Sequence, residues 1–135
     1  MAELVIAREL VAELVMYCRA CLPHEACGIL AGTGDRATKV YLMTNAEPSP
    51  VSYLMEPGEQ FRVMKEMRQE GLNMVAIFHS HPQSPAYPSA KDLRLAFYDD
   101  VYYVIVGLLR EDLPEVRVFS MKGGEVTEDA LTVIG

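Results

Sequence analysis

The stretch Met74-Val75-Ala76-Ile77-Phe78-His79-Ser80-His81 decides how this chain is put together. Its first five residues are continuously apolar, as expected of a central strand covered on both faces. Side chains two apart on a strand share a face, so His79 and His81 can reach one point while Ser80 turns away. The same pair also suits hydrogen-bonded structural histidines, and the neighbouring elements must decide between the two.

Toward the C-terminus, residues 82–88 form a polar, proline-rich loop. Leu93, Ala96 and Phe97 then recur at helical spacing, which predicts a helix over 89–98. Residues 101–106 and 115–121 read as two more strands, and the last residues as a short final strand or tail. Toward the N-terminus, Gly71 is placed to end a helix that starts after Glu56-Pro57-Gly58, with Phe61, Met64 and Met67 as its inner stripe. Further back, 38–44 alternates as a strand and pairs as a hairpin with the buried run 26–31 across Gly32-Thr33-Gly34-Asp35. A first amphipathic helix over 7–21 carries Leu10, Leu14, Tyr17, Cys18 and Cys21 on one side, with Glu9, Glu13 and Arg19 on the other. Interleaved helices and strands around an apolar central strand predict an α/β fold: a mixed β-sheet flanked by helices, in a single domain spanning 1–135. Ligands in such sheets favour the C-terminal ends of strands, where the two histidines lie.

Composition narrows the partners. The 135 residues are half hydrophobic and under a quarter charged, as in ordinary globular domains. A net charge of −7, with twelve scattered Lys and Arg, disfavours nucleic acid. No apolar run is long enough to cross a bilayer, and residues 1–10 lack the apolar core of a secretory signal. With three cysteines, Cys18, Cys21 and Cys27, this predicts reduced thiols and a cytoplasmic location.

Ser89 and Asp92 are three apart at the start of the third helix, hence on one face, and the preceding loop can fold them back toward the strand end. Asp92 then adds a carboxylate to the two imidazoles, leaving a fourth tetrahedral position for water, as in a catalytic zinc site. Ser-x-x-Asp is equally an acidic helix capping box, so Ser89 has a purely structural reading as well. The proton of a zinc-bound water needs a base. Glu25 is the candidate, since the buried run after it supplies a low-dielectric wall that would raise its pKa; otherwise it is a solvated surface residue. Cys18, Cys21, His24 and Cys27, spaced by three, offer a rival metal site, but Cys18 and Cys21 belong to the inner stripe of the first helix.

Glu25, His79-Ser80-His81, seven residues, Ser89, two residues and Asp92 together resemble the signature of the JAMM (MPN-plus) metalloproteases. The resemblance implies a JAMM/MPN-like (cytidine-deaminase-like) fold, zinc on His79, His81 and Asp92, a water polarised by Glu25, and an oxyanion stabilised by Ser89. His24-Glu25-Ala26-Cys27-Gly28, Met43-Thr44-Asn45-Ala46-Glu47, Pro57-Gly58-Glu59-Gln60-Phe61 and Ala86-Tyr87-Pro88-Ser89 are similar to the small bacterial members that release cysteine from a ubiquitin-fold sulfur-carrier protein. That implies cleavage after the carrier's C-terminal Gly-Gly, in cysteine biosynthesis. Pro82 departs from those members and matches the broader family. The alternatives are an isopeptidase of ubiquitin-like conjugates, a non-catalytic MPN scaffold, which typically lacks metal ligands, and a nucleobase deaminase, whose Pro-Cys-x-x-Cys pair is missing here. The oligomeric state stays open, a homodimer included.

Overall fold

A computed structural model describes residues 3–110 and 112–135. Among the described residues, seven strands and three helices follow one another as β1 (Glu3–Ala7), α1 (Arg8–Ala20), β2 (Cys27–Thr33), β3 (Arg36–Met43), α2 (Pro57–Gln69), β4 (Asn73–His81), α3 (Ala90–Arg94), β5 (Tyr102–Gly107), β6 (Glu115–Lys122) and β7 (Glu125–Ile134). The strands close into one mixed barrel in the order β1-β3-β2-β4-β5-β6-β7, with β1 returning to β7. β4 has β2 antiparallel on one side and β5 parallel on the other. The expected mixed sheet with a central apolar strand is therefore present. Its closure was not read from the sequence.

Two clusters sandwich β4. On one face Ala76 and Phe78 join Leu14, Val15 and Cys18 of α1; on the other Ile77 joins Val63 and Met67 of α2. The strand's alternation thus sends Ser80 toward α1 and His79 and His81 toward the α2 side. Gly28 on β2 makes this packing feasible, since a Cβ there would lie 2.1 Å from the Phe78 ring and 2.5 Å from the Tyr41 carbonyl oxygen. No helix among the described residues is long and apolar enough to cross a membrane.

Four expectations need correction. The inner stripe of α2 is Val63 and Met67, with Met64 beside it, whereas Phe61 is 75% exposed. At 100° per residue, Val63, Gln60, Met67 and Met64 share one arc and Phe61 falls outside it. The third helix stops at Arg94 instead of reaching 98. The amide of Tyr98 donates to the Tyr103 hydroxyl and its carbonyl accepts from the same hydroxyl, both at 3.2 Å, which commits the chain to another path. The C-terminal segment is a ten-residue strand, not a short one or a tail. Before the first helix lies the additional strand β1, which pairs with β7 in parallel and buries Leu4 and Ile6.

Candidate active site

Every candidate residue comes to one end of β4. The rings of His79 and His81 leave the same face of the strand, as their spacing demands, and both are almost fully buried. After His81 the loop turns back because Ala86, fully buried, fits where Gly107 has no side chain; a Cβ on Gly107 would lie 2.9 Å from the Ala86 nitrogen. That turn aims Ser89 and α3 at the strand end.

At the start of α3 the capping box is fully formed. Asp92 N donates to Ser89 Oγ at 3.0 Å, and Ser89 N donates to Asp92 Oδ2 at 2.9 Å. Ser89 is therefore a helix cap, and the hydroxyl keeps its own O–H to donate elsewhere. Asp92 Oδ2 also lies 3.2 Å from His79 Nε2 and 2.9 Å from His81 Nε2, while the two Nε2 atoms are 3.2 Å apart.

These three atoms form a triangle that fits a metal ion. Ligands about 2.0–2.1 Å from a tetrahedral ion lie about 3.3 Å from one another. His81 Nδ1 donates to the Pro85 carbonyl at 2.9 Å, so the ring in its neutral form presents the Nε2 lone pair to the triangle, and in its protonated form donates from Nε2 to Asp92. Among the described residues this is the group of His, Cys, Asp and Glu side chains that converges as a metal site would. The rival cysteine set does not assemble: Cys18 and Cys27 are buried in opposite clusters and His24 is exposed.

Burial opposes ionisation of Asp92, but hydrogen bonds from the two histidines outweigh it and hold the carboxyl well below its ordinary range. Burial also opposes the charged form of His81, yet Asp92 and the Pro85 carbonyl raise its pKa overall. Glu25 behaves differently. Burial pushes it up to about 8; the nearby His81 pulls it down and Asp92 pushes it further up. Only 3% of its surface is exposed, and Oε1 has no partner among the protein groups. An acid held near neutrality with a free oxygen, within electrostatic reach of His81 and Asp92, is equipped to accept a proton and return it.

Reading the sequence missed how Glu25 is held in place. Ala26 N donates to Ser80 Oγ at 2.8 Å and Ser80 N donates to the Ala26 carbonyl at 3.1 Å. The residue between the two histidines thus clamps the residue after the glutamate. Asn45 adds a bond from Nδ2 to the Glu25 carbonyl at 3.0 Å. Tyr53 was missed too; its ring stacks on His79 with centroids 4.9 Å apart. A serine between histidines and a tyrosine in a proline-punctuated loop carry no local pattern that would single them out. Beside His79 and Asp92 opens a cleft of about 160 Å³, walled by Tyr53, Leu54, Leu95, Phe97 and Tyr98. At about 10–15 Å³ per water it holds roughly 11–16 waters, space for a short stretch of peptide and not for a folded partner.

The family model described as prokaryotic homologs of the JAB domain matches residues 7–122. A CysO-cysteine peptidase of Mycobacterium tuberculosis is 40% identical over 133 residues, 97% of this chain and 91% of that protein. A probable TtuB-protein conjugate cleaving protease of Thermus thermophilus is 37% identical over 113 residues, 83% of this chain and 70% of that protein. Among solved structures, protein DSY2949 from Desulfitobacterium hafniense superposes with a TM-score of 0.88 at 36% identity, covering 97% of this chain and 92% of that one.

Proposed function

This chain belongs to the prokaryotic homologues of the JAB domain and is a metallopeptidase, and on that premise we propose that it hydrolyses the peptide bond after the C-terminal Gly-Gly of a ubiquitin-fold sulfur carrier, releasing cysteine or a short extension. The observation that carries this reading is the triangle of His79 Nε2, His81 Nε2 and Asp92 Oδ2 with the unpartnered oxygen of Glu25 near it. The 40% identity to a CysO-cysteine peptidase across nearly both chains supports the substrate class.

His79, His81 and Asp92 would hold a zinc ion, which when bound acidifies a water and polarises the scissile carbonyl. Glu25 takes a proton from the attacking water and delivers it to the leaving nitrogen. Ser89 uses its remaining O–H to stabilise the oxyanion while its lone pair keeps the cap. The Ser80–Ala26 clamp holds Glu25 at a set distance from the ligands. The narrow cleft accepts glycines without side chains, and the carrier's folded body docks outside it. Reduced cysteines fit a cytoplasmic site of action.

A second reading, cleavage of ubiquitin-like conjugates at isopeptide bonds, is favoured by the Thermus relative. Comparing carrier-Gly-Gly-Cys, the same adduct with the penultimate Gly→Val, and diubiquitin by mass spectrometry separates them. We expect the first to be cut fastest and the valine variant to resist. Equal rates on diubiquitin, or an unaffected valine variant, would make the isopeptidase reading the better one.

A further inference from the structure

The cleft beside His79 and Asp92 has mostly apolar and aromatic walls, and Lys91 is its single lysine or arginine. In a chain of net charge −7, it is this place in the cleft that sets Lys91 apart, and it has no carboxylate of its own. Lys39, Arg110 and Arg117 pair with Glu66 and Glu70, Asp112, and Glu128 respectively, whereas no ion pair or hydrogen bond engages the Lys91 ammonium among the described residues. Its charge also reaches the candidate base. Behind the dominant effect of burial and the influences of His81 and Asp92, the charge of Lys91 is felt by Glu25. Lys91 thus lines the cleft beside Asp92 within electrostatic reach of the group that protonates the leaving nitrogen.

We propose that Lys91 recognises the free α-carboxylate of the residue being released, and so makes the site selective for a bond at a chain end over an isopeptide bond. The inference rests on the carrier-processing reading above. When a terminal amino acid leaves, the nitrogen that Glu25 protonates and the terminal carboxylate are attached to the same α-carbon. A cation that lines the cleft within electrostatic reach of Glu25 is therefore placed to meet that carboxylate. In an apolar cleft the carboxylate would otherwise be costly to bind. An isopeptide leaving group is a lysine side chain with only methylenes beside its nitrogen, and it leaves Lys91 unpaired.

The test compares carrier-Gly-Gly-Cys ending in a free acid with the same adduct ending in a carboxamide, using the zinc-loaded protein and Lys91→Met and Lys91→Arg. We expect wild type to favour the acid by at least ~10-fold in kcat/KM, about 1.4 kcal/mol, in line with a charge-assisted bond. Lys91→Met should bring the acid-to-amide ratio close to one, and Lys91→Arg should restore much of it. Because the ratio compares two substrates on one enzyme, any shift that Lys91→Met causes in the Glu25 pKa cancels. Titration calorimetry on Glu25→Gln protein, with and without Lys91→Met, should show the same loss of acid preference without turnover. A wild-type enzyme that cuts acid and amide equally, or a Lys91→Met variant that keeps its preference, overturns the role of Lys91 and leaves carrier processing standing. Cleavage of neither adduct overturns both.

Discussion

Replacing Glu25 by Gln should stabilise the metal-free protein at high pH while changing little at low pH. The native carboxyl is 3% exposed and burial raises its pKa from 4.5 to about 8. Between those values the unfolded chain has released the proton and the native chain still binds it, so native stability falls as pH rises from about 4.5 to about 8. At about 1.36 kcal/mol per unit the limit is roughly 5 kcal/mol. The site opens on a solvated cleft and Lys91 is near, so solvent screening reduces this to about 2–3 kcal/mol. Gln has nearly the same shape and never ionises. Thermal unfolding by circular dichroism in chelator should therefore show a small difference at pH 5 and, at pH 9, a mutant Tm higher by roughly 6–12 °C. A gap that does not depend on pH, or a mutant that melts lower at pH 9, would refute a buried carboxyl held at raised pKa. The activity assay should move the other way, with turnover in the zinc-loaded mutant down by at least ~100-fold.

Protein purified without chelator should carry close to one zinc per chain by elemental analysis, and His79→Ala, His81→Ala or Asp92→Ala should each lose it; zinc retained in all three would remove the site. Ser80→Ala should leave the buried Ala26 amide without its acceptor, costing about 1–3 kcal/mol in urea unfolding. Turnover should fall at least ~10-fold at unchanged zinc content, since Glu25 loses its clamp; a stability loss with normal turnover would make Ser80 purely structural. Ser89→Ala removes a cap worth about 1 kcal/mol. If the same hydroxyl also serves the oxyanion, turnover drops by on the order of 100-fold; a mutant that melts lower yet turns over normally would leave Ser89 as a cap alone.

Where the sequence was legible, a single local rule sufficed. The apolar run ending in His79-Ser80-His81 announces β4, and alternation alone puts both imidazoles on one face. The helix ending at Gly71 is confirmed by its φ of +71°, the left-handed turn that glycine takes without strain. Legibility failed where long-range contacts decide. β7 carries exposed Glu125 and Glu128 and is otherwise mostly half-buried, so it lacks a clean apolar stripe and exists because β1 and β6 flank it. The Ser80–Ala26 clamp joins residues 54 apart in sequence, beyond the reach of any periodicity. Ser89 was legible as a choice between two roles. The structure shows the cap, and the hydroxyl's unused hydrogen is compatible with both.

The shortness of α3 has one more consequence. Five residues with none fully buried cannot persist as a free helix. This segment is held by its capping box, by the reach of Asp92 to the two histidines, and by partial packing of Leu93. Exposed Arg94 sits at its end, two residues beyond Asp92. An ion that bridges β4 and α3 would pin the peptide bond after Arg94, and its removal would loosen it. Limited trypsin digestion at that bond would then report metal occupancy in a crude extract, from a band on a gel, before any substrate is known.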